Sequence, residues 1–82
     1  GYNGYAGGKN LSKLQRQRAE EENEAMRRGD AAEVKDYDEH AVHIEEHTAF
    51  LLAHRLSPET EKRVCAHIER HKNKISEVKN GG

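Results

Sequence analysis

One proline interrupts the 82 residues, and it falls between two copies of a single pentapeptide: His43-Ile44-Glu45-Glu46-His47 before it and His67-Ile68-Glu69-Arg70-His71 after it. This arrangement leaves few folds open. Helix-forming residues continue to about Arg55, Leu56-Ser57-Pro58-Glu59 breaks them, and a second run continues to Asn80-Gly81. Ser57 suits an N-cap, and Pro58 suits the first helical position, where its missing N–H would have no partner anyway. A connection of two or three residues between long helices forces them antiparallel. The expected fold class is all-α, an antiparallel helical hairpin over about 37–55 and 58–79, preceded by a polar helix over about 11–28.

The rest of the chain divides around that hairpin. Residues 1–10 are rich in Gly and Asn and are expected to form a flexible leader, with Tyr2 and Tyr5 as anchors if it orders on a partner. Residues 11–29 form the polar helix, with Gly29 placed as its stop. Its apolar positions, Leu11, Leu14, Ala25 and Met26, make only a thin stripe, so it is expected to be an exposed strut or a surface packed on another subunit. Residues 30–36 form a linker, in which Asp30 and Glu33 have capping-box spacing. Asp36 and Glu39 repeat that spacing at the start of the hairpin, residues 37–80.

At 100° per residue, the first arm places His40, His43, Ile44, His47, Phe50, Leu51 and His54 on one face. The second arm places Val64, His67, Ile68, His71, Ile75 and Val78 on one face. These residues form the expected hairpin interface. Centring the turn on Leu56 and Ser57 pairs His47 with His67 and His43 with His71. Two His pairs at i, i+4 spacing, face to face, are a candidate zinc site made of His43, His47, His67 and His71. A metal-free seam fits the same pattern, with the imidazoles packed and bonded to one another or to Glu39, Glu45, Glu46 and Glu69. So does a switch opened by protonation. Cys65 lies far round the helix from His67 and is expected to flank the core.

Composition limits the functions available. With 33% hydrophobic and 35% charged residues, no Trp and one Phe, only a narrow core can form, and small chains of this kind lean on a metal, a partner or self-association. Fourteen basic and fifteen acidic residues give a net charge of −1, which advertises no nucleic-acid surface. Protonating all six histidines would carry it to about +5. One cysteine excludes an intrachain disulfide. No apolar run reaches the roughly 20 residues of a membrane span, and no signal-peptide pattern opens the chain, so a soluble, membrane-free protein is expected.

Enzyme motifs fail on inspection. The zincin pattern needs Glu where Ile44 stands. His43, Glu46 and His47 match the inverted H-x-x-E-H form, but that protease needs a further acidic ligand and a large substrate-binding body. No Glu-x-x-His pair of the di-iron bundles occurs, and no phosphate loop or serine elbow. A non-enzymatic structural or assembly module is expected, with a free-standing zinc-binding hairpin as the alternative.

Residues 17–71 resemble the C-terminal tail of tailed-bacteriophage portal proteins. The resemblance rests on a Glu- and Asn-rich helix ending at Met26-Arg27-Arg28-Gly29-Asp30, the acidic run Tyr37-Asp38-Glu39-His40, His43-Ile44-x-x-His47 followed by Phe50-Leu51-Leu52, and a second His67-Ile68-x-x-His71. It covers about two thirds of the chain. Portals form dodecameric rings at one capsid vertex, through which the genome is packaged and ejected. The resemblance therefore implies a fragment, or a separately made segment, of a ring-forming protein assembled in the host cytoplasm and carried in the virion. Its implied partners are neighbouring subunits, other virion proteins and packaged DNA. It assigns no catalytic residue and no metal ligand. The charges of the first helix, Arg16, Arg18, Arg27 and Arg28 among Glu20, Glu21, Glu22 and Glu24, would then suit contacts between subunits.

Overall fold

The computed structural model describes residues 10–81, so the expected leader lies, apart from Asn10, outside the described residues. Three helices and no strand occur among the described residues: α1 (Leu11–Arg27), α2 (His40–Ala53) and α3 (Pro58–Gly81). The Asn10 side chain caps α1 by accepting from the Lys13 N–H at 3.0 Å. Its other end is closed by Gly29, whose φ of 98° lets its N–H reach Met26 O and the Asp30 N–H reach Ala25 O. This double closure is the Schellman motif, and the left-handed position explains the glycine.

α2 begins three residues later than the acidic run suggests. Asp36 and Glu39 form no capping box; Glu39 occupies the N-cap without a side-chain bond. The competing interaction is the turn before it, where Asp38 Oδ2 accepts from the Lys35 N–H at 2.8 Å and Asp38 Oδ1 from Arg18 Nε at 2.8 Å. Asp30 and Glu33 likewise start no helical turn. The far end of α2 is also shorter than expected. His54 is extended (φ −130°, ψ 152°), so the helical period no longer applies to it, and it is exposed, its ring against that of Phe50 at 5.0 Å. Ser57 caps α3 through the Thr60 N–H at 3.2 Å.

α2 and α3 form the antiparallel hairpin. Val64 and Ile68 lie with Phe50 near the turn, and His71 lies beside His40 at the open end. α3 has 24 residues against 14 in α2, about 15 Å more helix at 1.5 Å per residue. Its last turns therefore overshoot, which leaves Val78 73% exposed and outside the hairpin interface. Ile44, Leu51, Ile75 and His40 are partly buried.

α1 is no free strut. It lies parallel to α2, with Gln15 bonded to the Tyr37 carbonyl at one end and Arg27 over the Phe50 ring at the other. Residues 28–39 return the chain along the bundle to make that possible. α1 buries Ala19, Glu22, Asn23 and Met26, and Met26 joins Phe50, Val64 and Ile68 in the apolar core. Its arginines are used within the chain: Arg16 pairs with Glu45 and Glu46, Arg18 with Asp38 and Glu22, and Arg28 with Asp30. Cys65 is exposed rather than packed on the core flank.

Candidate metal centre

The core has two halves. Near the turn it is apolar; along the rest of the bundle it is imidazole and carboxylate. His43, His47, His67 and His71 are all fully buried. Their pairing follows the helical period, with ring centroids 4.7 Å apart for His47 and His67 and 4.9 Å for His43 and His71. From α1, Glu22 enters this cluster and Asn23 lines it, and both are buried. Sequence reasoning counted only apolar residues on α1 and missed both. Ala19, Glu22, Asn23 and Met26 recur at helical spacing, a stripe visible only if Glu and Asn are admitted as core residues.

Glu22, His47, His67 and His71 each offer one ligand atom, all within 4.8 Å of one another. Glu22 Oε1 lies 3.4 Å from His47 Nε2 and 3.5 Å from His67 Nε2, while His67 Nε2 lies 3.2 Å from His71 Nε2. A tetrahedral zinc ion with ligands at about 2.0–2.1 Å has ligand–ligand edges of about 3.3–3.4 Å. Three edges of the cluster thus have the length such a polyhedron requires.

The outward ring nitrogens of His47 and His67 fix where the protons sit. His47 Nδ1 donates to Asn23 Oδ1 at 2.6 Å, the amide being turned by its Nδ2 contact with Glu46 O. His67 Nδ1 donates to the Ala32 carbonyl at 3.1 Å. In neutral rings both Nε2 atoms therefore present lone pairs towards the Glu22 carboxylate. His47 Nε2 is buried with no hydrogen-bond partner. Burial pushes the His47 imidazole below its ordinary pKa, so it stays neutral, and burial with the neighbouring imidazoles pushes His71 down to about 3. Burial alone would raise the Glu22 carboxyl, but hydrogen bonding from imidazole N–H groups that face it, His43 first, holds the carboxyl well below the usual range. With His47 and His67 neutral and protonated on Nδ1, a carboxylate and two lone pairs converge on one buried point, an arrangement that a cation would satisfy.

His43 is arranged differently. Its Nδ1 faces Glu22 Oε1 at 3.2 Å and its Nε2 faces Gln15 Oε1 at 2.8 Å, with Asp38 Oδ1 3.7 Å away. Both nitrogens meet oxygen acceptors, so His43 is placed to donate to Glu22 or Gln15, and the group of ligand atoms within reach of one another contains Glu22 beside His47, His67 and His71 rather than His43. A second group, Asp38, His43 and His71, also has ligand atoms in reach of one another. Its polar atoms have other partners at hand: Asp38 accepts from Arg18 and the Lys35 N–H, His43 lies against Gln15 and Glu22 with one ring proton to give when neutral, and His71 Nδ1 lies 2.8 Å from His40 Nδ1. It forms a supporting layer around the first group. Glu45 and Glu46, expected to serve the histidines, are held by Arg16 instead. Glu39 and Glu69 are exposed, and Glu69 pairs with Lys72.

The surface groove between α1 and α2, about 320 Å³, is lined by Glu20, Asn23, Glu46, Phe50 and His54 among others, and not by His47, His67 or His71. No helix among the described residues is long and apolar enough to cross a membrane. No family model, curated protein or solved structure matches this chain.

Proposed function

We propose that this chain is a non-enzymatic helical module whose three helices are clasped by one structural divalent metal ion of the zinc class, held by Glu22, His47, His67 and His71. The carrying observation is the buried, partnerless His47 Nε2, aimed with a second imidazole lone pair and a carboxylate at a common point with tetrahedral edge lengths. Three nitrogens and one oxygen suit zinc, and four protein ligands leave no open position for substrate, as in structural sites. One ion would join α1 through Glu22, α2 through His47 and α3 through His67 and His71. That linkage offsets the small apolar core. The test is to strip the chain with a chelator, return zinc and count bound ions by native mass spectrometry. One zinc per chain is expected, and none in a double variant His47→Leu, His67→Leu that stays helical by circular dichroism. A stripped wild-type chain that takes up no zinc at micromolar concentration rules the reading out.

A role in assembly, as the resemblance to portal tails implies, is a second reading. Leu52 at 84%, Val78 at 73% and Tyr37 at 67% exposure favour it, because these large apolar side chains on three segments are left uncovered by the described residues. On this reading the module docks on neighbouring copies in a ring or on other virion components, packaged DNA included. Light scattering on the chain and on Leu52→Glu, Val78→Glu tests it. Self-association lost in the variant supports it; a monomeric wild-type chain at high concentration counts against it.

A further inference from the structure

Among the three imidazoles grouped with Glu22 as candidate ligands, His71 alone rests its second nitrogen on another imidazole rather than on an oxygen. The consequence follows atom by atom. The Ala32 oxygen can only accept, so His67 carries a proton on Nδ1, and in the neutral ring its Nε2 is a lone pair. His71 Nε2, 3.2 Å from that lone pair, is therefore the donor of the pair, and its proton sits on the very atom a metal needs. His71 Nδ1 is left as an acceptor and takes its hydrogen bond from His40 Nδ1–H at 2.8 Å. His47 and His67 need no such change, since Asn23 and Ala32 already hold their protons on Nδ1. His71 is fully buried, whereas His40, the first residue of α2, is partly exposed.

We propose that His40 is a positioning residue that exchanges tautomers with His71 when the centre takes up its metal. The step balances with no change in the charge of either ring. His71 gives its Nε2 proton to water and offers that lone pair to the ion. The proton on His40 Nδ1 crosses the 2.8 Å bond to His71 Nδ1, and His40 takes a proton from water on Nε2. In the loaded form His71 Nδ1–H donates to His40, the arrangement in which an outer partner fixes a ligating imidazole. The inference rests on the metal reading above and extends it from the ligands to the residue that readies one of them.

The test uses the full chain with 15N-labelled histidine, compared at one fixed pH before and after one equivalent of zinc by long-range proton–nitrogen spectra. The expected result is that His71 moves from Nε2–H to Nδ1–H and His40 from Nδ1–H to Nε2–H, while His67 stays Nδ1–H. His40→Ala is expected to bind one zinc about 10–100-fold more weakly, the usual effect of losing an outer partner. His40→Gln, whose side-chain oxygen accepts from His71 Nδ1–H, is expected to restore most of that affinity. Zinc binding with unchanged His40 and His71 tautomers, or at full strength in His40→Ala, overturns the exchange but leaves the metal site standing. A chain that binds no zinc overturns both.

Discussion

Glu22→Gln separates a metal centre from a hydrogen-bonded seam. Glu22 is the only anion among the four candidate ligands and the only one supplied by α1, and its Oε1 lies 3.2, 3.4 and 3.5 Å from nitrogens of His43, His47 and His67. Gln keeps the shape and removes the charge. Zinc at 100 times its dissociation constant stabilises a folded chain by about 2.7 kcal/mol. For a domain of this size, each kcal/mol moves the midpoint by about 4–8 °C, so the wild-type rise is about 11–22 °C. Losing the charged ligand should weaken binding at least about 100-fold, beyond the range that outer partners cost. At the same zinc concentration only about 0.4 kcal/mol then remains, a rise of about 2–3 °C. The assay is thermal melting by circular dichroism, with each protein melted after chelation and again with zinc. Taking the difference within each protein removes any direct effect of the substitution on folding. Equal rises in the two proteins, or none in the wild type, would refute the assignment of Glu22 and of the centre respectively.

Acid should weaken the chelated chain. His71, pushed down to about 3, and His47, also lowered, take up protons in the unfolded chain near their ordinary 6.5 but not when folded. Stability is therefore full above about pH 6.5 and falls towards pH 3. The depressed carboxyl of Glu22 adds a loss in the same direction below about 4.5. Urea midpoints that do not fall between pH 7.5 and pH 4 contradict this. Met26→Ala should cost about 2–5 kcal/mol in denaturant titrations, since Met26 is fully buried against the apolar cluster; a loss under 1 kcal/mol would mean that α1 is not docked. Gly29→Ala should cost about 1 kcal/mol or more with no steric contribution, because φ is +98° and nothing lies within 4 Å of the added Cβ. An unchanged denaturation midpoint would show that the left-handed turn is not retained.

The hairpin was legible because its determinants are local. Ser57 and Pro58 set the reversal, the 100° period sets the faces, and together they bring His47 to His67 and His43 to His71 with no reference to the rest of the chain. Gly29 as the stop of α1 was equally local. The membership of the buried polar cluster was not. Glu22 and Asn23 sit on a helix whose composition looks solvated, and whether a charged side chain is buried depends on partners brought across space, here by the return of residues 28–39 alongside α1 and α2. Which nitrogen each imidazole turns inward was likewise a tertiary decision. Asn23 and the Ala32 carbonyl, remote in sequence from His47 and His67, hold the outer protons and so aim the inner lone pairs. The sequence determined two histidine stripes and their opposition. Only the packed bundle decided that a carboxylate from α1 enters between them, against His43, His47 and His67.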